Sequence, residues 1–214
     1  SNSTQETIDL TRSAKKDGAD AVLLVVPYYN KPTQKGLYEH FRKVAEEVNI
    51  PIILYNIPGR TGVNMLPETV AKLAKDCKNI VGIKEASGNL DQVSEIVGTC
   101  PKDFTVLSGD DALTLPMLAL GGKGIISVIA NLVPQDMAEM CNAWFKGQAE
   151  RAKQLHHKMF PLIKALFIET NPIPIKTAMG LVGLCSPELR LPLTSMEEKN
   201  LEKLKKAMRD YGLL

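Results

Sequence analysis

Lys84 closes the run Asn79-Ile80-Val81-Gly82-Ile83-Lys84-Glu85-Ala86-Ser87-Gly88, a short apolar stretch that ends in a turn-forming sequence. A lysine at the end of a buried strand is a candidate nucleophile. A solvated lysine, with a pKa of about 10.4, is neutral only a few times in ten thousand at pH 7, and only the neutral amine attacks a carbonyl. Burial at a strand end disfavours the ammonium and raises that fraction. The plainer alternative is a lysine that snorkels from the strand end or pairs with Glu85. Tyr55 ends the preceding apolar run, Pro51-Ile52-Ile53-Leu54-Tyr55, so phenol and amine lie at one rim. There a tyrosine can relay protons to and from a carbinolamine, or simply pack.

Other residues invite weaker readings. Arg60 lies in Tyr55-Asn56-Ile57-Pro58-Gly59-Arg60-Thr61-Gly62, a glycine-containing loop in which a guanidinium can hold a carboxylate bidentately or lie solvated on a surface turn. Asp110-Asp111 lacks other ligands at metal-binding spacing and reads as negative charge at a helix start. Gly121-Gly122-Lys123-Gly124 precedes a strand instead of following one, the wrong context for a phosphate loop, and reads as a helix stop. His40, His156 and His157 lie in helical segments with no sequence partner and receive no role.

These residues need elements to hold them. Ser3 and Glu6 have capping-box spacing and open a helix through Lys16. The apolar runs at 21–26, 51–55, 80–84, 104–108 and 124–128 alternate with helical segments at 33–48, from Pro67, after Asn89 and at 111–120. Strands apolar throughout, alternating with helices, predict a parallel α/β sheet. Five strand-helix units fit either an open doubly wound sheet or part of an eight-stranded barrel, and in both the ligand meets the carboxyl ends of the strands. Polar or reactive groups follow every strand here, as in barrel enzymes. The remainder is helical, with helices at 134–146, 148–169, after Pro172, and a last one opening on Ser195 and Glu198 at capping-box spacing. The expected division is a partial β/α barrel over 1–132 and the last barrel helix with a C-terminal helical region over 133–214.

Composition bounds the function. With 214 residues, 26 Lys+Arg against 24 Asp+Glu and no basic block interleaved with aromatics, nucleic acid is not an expected partner. Cys77, Cys100, Cys141 and Cys185 are widely separated and read as reduced packing residues, and no apolar stretch reaches the roughly 18 residues that span a bilayer. The expected setting is cytoplasmic, without a membrane and without a metal.

The strings Val26-Pro27-Tyr28-Tyr29-Asn30-Lys31-Pro32, Tyr55 to Gly62, Gly82 to Gly88 and Ser108-Gly109-Asp110-Asp111 resemble those of the dihydrodipicolinate synthase family of pyruvate-dependent aldolases, within the N-acetylneuraminate lyase superfamily. The resemblance covers the whole chain. It implies a (β/α)8 TIM barrel, here five of the eight strands plus a C-terminal helical region. It also implies a lyase that condenses pyruvate with L-aspartate 4-semialdehyde through a lysine Schiff base, in lysine and diaminopimelate biosynthesis. No cofactor is implied beyond the covalent imine with pyruvate. Lys84 resembles the Schiff-base lysine, Tyr55 the proton donor and acceptor, Tyr29 a tyrosine inserted into the neighbouring subunit's relay, and Arg60 the arginine that holds the semialdehyde carboxylate. Gly109, Asp110 and Ile126 match substrate-pocket positions. Asn2, Glu6 and Tyr28 match positions that bind the inhibitor L-lysine in regulated members.

The family pattern also implies three preceding strands, a Gly-Thr-Thr-Gly-Glu loop and the threonine that hands protons to Tyr55, none of which has a counterpart in this sequence. The chain is therefore expected to be a piece of a full barrel, cut from it or complemented by an amino-terminal segment, and to form a homo-oligomer, a dimer or tetramer. Two alternatives are a sugar-acid aldolase of the N-acetylneuraminate lyase type, against which the Pro-x-Arg-Thr-Gly loop argues, and an inactive barrel fragment or scaffold.

Overall fold

The computed structural model describes residues 1–214 and divides into two compact units, Ser1–Ile126 and Ser127–Leu214. In the first, helix α1 (Thr4–Lys16) leads to β1 (Val22–Val25), α2 (Gln34–Glu47) to β2 (Ile52–Asn56), and the short α3 (Pro58–Thr61) with α4 (Pro67–Asp76) to β3 (Ile80–Glu85). Helix α5 (Leu90–Thr99) then leads to β4 (Thr105–Ser108), and a 3-10 turn (Asp111–Leu113) with α6 (Thr114–Ala119) to β5 (Gly124–Ile125). The five strands form one sheet in the order β1-β2-β3-β4-β5, every pair parallel. This is the α/β architecture expected of apolar strands alternating with helices, since a parallel neighbour is reached only through a crossover.

Helix starts follow their chemistry. Ser3 accepts from the Glu6 amide, Thr33 from the Gly36 amide, and Asn89 from the Asp91 and Gln92 amides, each satisfying amides that have no intrahelical partner. The Ser3 box is one-sided, because the Glu6 carboxylate takes the Ser1 hydroxyl instead of reaching back to the cap. Asp110 caps the 3-10 turn through the Ala112 amide, 2.8 Å, in agreement with the helix-start reading of Asp110-Asp111. After α6 ends at Ala119, Gly121 has φ of 109°, so Gly121-Gly122 is the helix stop expected.

One face of the sheet is sealed by helices. Ile52 and Leu54 of β2, Ile83 of β3 and Val106 of β4 are buried with Leu37, Phe41 and Val44 of α2, Val70 and Leu73 of α4, and Val93 and Ile96 of α5. Each such side chain contributes on the order of 1.5–3 kcal/mol through burial. The alternate residues of β2, Ile53 and Tyr55, lie on the opposite face and are only partly buried, as is Lys84 of β3. That second face is where side chains remain accessible.

The second unit is helical, with α7 (Pro134–Phe145), α8 (Ala149–Leu166), α9 (Ile173–Leu181) and α10 (Glu198–Tyr211). Leu155, Met159, Leu162, Ile163 and Leu166 are all buried, the stripe expected of α8. One helix start differs from expectation. Helix α10 opens at Glu198 behind Glu197, not on Ser195, and its start is tied by the Glu169 carboxylate, which accepts from the Glu197 amide at 3.0 Å and from Asn200 Nδ2 at 2.9 Å. A glutamate distant in sequence thus takes the N-cap amide, while no side chain caps the first-turn amides.

Candidate active site

The parallel register pairs Tyr55 with Lys84 and, one residue on, Asn56 with Glu85. Side chains alternate across a strand, so Tyr55 and Lys84 share the accessible face while Asn56 and Glu85 share the helix-covered one. Lys84 Nζ stands 4.2 Å from the centre of the Tyr55 ring. Burial pushes the Lys84 amine below the ordinary lysine range; Asp111 opposes this and Arg60 reinforces it. Burial likewise raises the Tyr55 phenol, against a lowering pull from Arg60. Both shifts run toward the uncharged forms, a neutral amine beside a protonated phenol, the pair of states in which one group attacks a carbonyl and the other donates a proton.

The pairing of Lys84 with Glu85 weighed from the sequence does not occur. Glu85 points to the other face and is 1% exposed, and its carboxylate accepts from Asn56, from the Ser87 amide at 2.6 Å and from Gln92 at 3.2 Å. Successive residues of a strand cannot share a face, which a linear reading of neighbours overlooks.

The loops deliver the remaining candidates. Arg60 sits on α3, one helical turn where an irregular loop was expected, closed by Gly62 in the left-handed region at φ of 75°. Gly109 follows β4 and passes directly over the lysine: a Cβ added there would lie 2.7 Å from Ala86 Cβ and 3.0 Å from Lys84 Cε. Any side chain at this position would force the Lys84 side chain or Ala86 to shift. The amides of Gly109 and Ile126 are spent on the carbonyls of Glu85 (2.8 Å) and Ser108 (3.0 Å), so it is their carbonyls that can meet a ligand. Asp110 uses its carboxylate as the cap described above.

Tyr29 is not brought to Lys84. It is 89% exposed with φ of 70°, an uncommon conformation for a non-glycine residue, and its amide donates to Thr61 O at 3.3 Å. Asn2 and Tyr28 do meet: Asn2 Nδ2 donates to Tyr28 O at 3.2 Å, and Asn30 Nδ2 returns a bond to Asn2 O at 3.0 Å. Glu6 lies one turn further along α1, exposed.

A polar layer that sequence reasoning missed lies under the reactive pair. Asn56, Asn64, Glu85 and Gln92 form one hydrogen-bonded group, with Asn56 to Asn64 and Asn64 to Gln92 both at 2.8 Å. Its signal was present in the asparagine that follows Tyr55 at the end of an apolar strand, but the partners are 8 and 29 residues away.

The Dihydrodipicolinate synthetase family matches residues 1–211. Relatives named 4-hydroxy-tetrahydrodipicolinate synthase from Endomicrobium trichonymphae and Thermodesulfovibrio yellowstonii are 56% and 58% identical over all 214 residues, which span 73% of each relative. Among solved structures, dihydrodipicolinate synthase from Thermotoga maritima superimposes with a TM-score of 0.98 at 49% identity, covering 100% of this chain and 73% of that one. The lysine-bound enzyme from Cyanidioschyzon merolae gives 0.96 at 46%, with 100% and 72% covered. The chloride-inhibited enzyme from Acinetobacter baumannii in complex with pyruvate also gives 0.96 at 46%, with 100% and 73% covered. The five strands with their helices are thus part of a (β/α)8 barrel, and the chain belongs to the dihydrodipicolinate synthetase family.

Proposed function

We propose that the chain carries the lyase chemistry of 4-hydroxy-tetrahydrodipicolinate synthase, with Lys84 as the nucleophile. The observation that supports this most is the register pair itself: an amine with a lowered pKa, 4.2 Å from the ring of a tyrosine that remains protonated. The neutral amine attacks the keto carbon of pyruvate, the resulting carbinolamine loses water to leave an imine, and loss of a methyl proton gives the enamine that attacks the aldehyde of aspartate semialdehyde. Tyr55 carries protons during carbinolamine formation and collapse. The covalent imine with the substrate takes the place of a cofactor.

Arg60 holds the semialdehyde carboxylate at the mouth, and Gly109, Asp110 and Ile126 line the pyruvate side, Gly109 and Ile126 through their carbonyls. Tyr29, exposed on a loop with left-handed backbone, acts in the site of a second copy, which makes the working form a homo-oligomer, a dimer or tetramer. Asn2, Glu6 and Tyr28 contribute to a site for L-lysine, a reading that the Asn2–Tyr28 bond supports. The unpaired edge of β1, where Leu23 is exposed, supports covering by a further segment, because a bare apolar strand edge invites association. The cytoplasm suits this chemistry, and no helix is long and apolar enough to cross a membrane.

The synthases reported above favour this reading over the sugar-acid aldolase and over a scaffold. Borohydride reduction in the presence of pyruvate tests it. A reduced adduct on Lys84, found by peptide mass spectrometry and diminished when aspartate semialdehyde is added first, is the expected result. Folded chain that gives no adduct, or an adduct on another lysine, overturns it.

A further inference from the structure

The helix-covered side of β2 and β3 is apolar until the last residue of each strand. Ile52, Leu54 and Ile83 are buried, and then Asn56, 0% exposed, faces Glu85, 1% exposed, immediately beneath Tyr55 and Lys84. Asn56 Nδ2 reaches both Glu85 oxygens, at 3.0 and 3.3 Å. Ser87 N–H donates to one oxygen at 2.6 Å and Gln92 Nε2 to the other at 3.2 Å. Asn56 Oδ1 in turn accepts from the Met65 amide at 3.0 Å, and Gln92 and Asn64 bond each other and complete the ring. Every donor to Glu85 is a neutral amide, so the carboxyl is acceptor-only and balances no cation.

The bonds join three pieces of chain. One is the end of β2 with the loop that carries Arg60, the second is the end of β3, and the third is the start of α5. The backbone extends the tie, since Asn56 O accepts from Ala86 N at 2.9 Å and Glu85 O from Gly109 N at 2.8 Å. Gly109 is the residue at which an added Cβ would lie 3.0 Å from Lys84 Cε. Burying so many polar groups costs more than apolar packing of the same volume, and what a fully satisfied network secures is one arrangement of its members.

We infer that Glu85 is a positioning residue, whose buried carboxylate clamps the ends of β2 and β3 so that Tyr55 and Lys84 stay paired on the opposite face. The inference rests on the assignment of Lys84 as the nucleophile. Glu85 acts through position and not through charge: the charged groups that act on the Lys84 amine are Asp111, beyond β4, and Arg60, on α3, with the Tyr55 ring against it from β2.

The test uses the full chain and three variants. Glu85→Gln sets an amide donor against the donors of Asn56, Ser87 and Gln92. Asn56→Asp alone sets two carboxylates together. The double variant restores a donor facing an acceptor, because the Asn64 and Gln92 amides can turn over to match. Two rates are read at Lys84 by peptide mass spectrometry: pyruvate trapping with borohydride, and reductive methylation with formaldehyde and cyanoborohydride, normalised to the exposed Lys15.

Each single variant, folded by circular dichroism, is expected to trap pyruvate about tenfold more slowly, well inside the hundredfold that a misplacement of roughly 1 Å can cost. The double variant is expected to return to within about threefold of the parent, a rescue that a merely structural carboxylate would not produce. Single variants at the parent rate overturn the inference, as does a double variant no faster than the singles. If the parent methylates at Lys84 but traps no pyruvate, the Schiff-base reading fails. The methylation rates of the same four proteins, judged by the same rescue, then decide the clamp.

Discussion

Lys84 Nζ lies 4.2 Å from the centre of the Tyr55 ring because the two residues are direct partners in the parallel register of β2 and β3. Two effects compete at that contact. The ring face stabilises an ammonium by roughly 0.5–2 kcal/mol, whereas burial disfavours it. Burial is the largest cause pushing the amine below the ordinary lysine range, and the ring face acts against it. The ring and the hydroxyl of Tyr55 thus have separable roles. Tyr55→Phe retains the ring and is expected to leave reductive methylation of Lys84 within about twofold of the parent. Pyruvate trapping should fall about a hundredfold, the lower end of what a positioned proton-transfer group contributes. Equal losses in both rates would assign Tyr55 to packing alone.

Asp111 and Arg60 pull the Lys84 amine in opposite directions, so their removal should shift it in opposite directions. Arg60→Gln removes a like charge and moves the pH midpoint of Lys84 methylation upward; Asp111→Asn removes an opposite charge and moves it downward. Arg60 is exposed, so its effect is screened and the upward shift should shrink as salt is raised. Asp111 is buried, and its shift should survive salt. A rate–pH profile of methylation at low and high ionic strength checks both signs.

Gly109→Ala tests the close passage over the lysine. The added Cβ meets Ala86 Cβ at 2.7 Å and Lys84 Cε at 3.0 Å, both inside normal contact. Overpacking of this kind costs about 1–3 kcal/mol. We expect that loss in chemical denaturation, together with a decline in pyruvate trapping, because the flexible lysine gives way before the backbone does. Truncation of Ala86 to glycine in the same chain should recover part of the stability.

His40 sets an acid limit. It is buried beneath α1, bonded through Nδ1 to Thr4 at 2.8 Å, and burial lowers its pKa from 6.5 to about 4. The unfolded chain therefore binds a proton more readily than the folded one throughout that interval. Stability is undiminished above about pH 6.5 and declines as pH falls toward 4, by roughly 2 kcal/mol between pH 7 and 5 from this residue. Urea denaturation at the two pH values should show the decline, and His40→Gln should flatten its share of it.

The α/β class, the order of elements and the candidates Lys84 and Tyr55 were legible in the sequence. Apolar runs of strand length, capping residues such as Ser3, Thr33 and Asn89, and a lysine and a tyrosine at strand ends are local patterns that hydrogen-bonding and burial rules translate directly. The loop that carries Arg60 was legible as a loop, but not as a helical turn closed by Gly62, because its conformation depends on what packs around it.

Only the tertiary structure decided which of these residues meet. Register between strands is a property of two segments at once, and it made Tyr55 the partner of Lys84 while sending Glu85, the nearest residue in sequence, to the opposite face. The same holds for the Asn56–Asn64–Glu85–Gln92 network, for the clearance at Gly109 and for the Glu169 tie that starts α10, each made by groups distant along the chain. A sequence states which groups are present and how each short segment folds; distances between segments follow from packing, which no single segment contains.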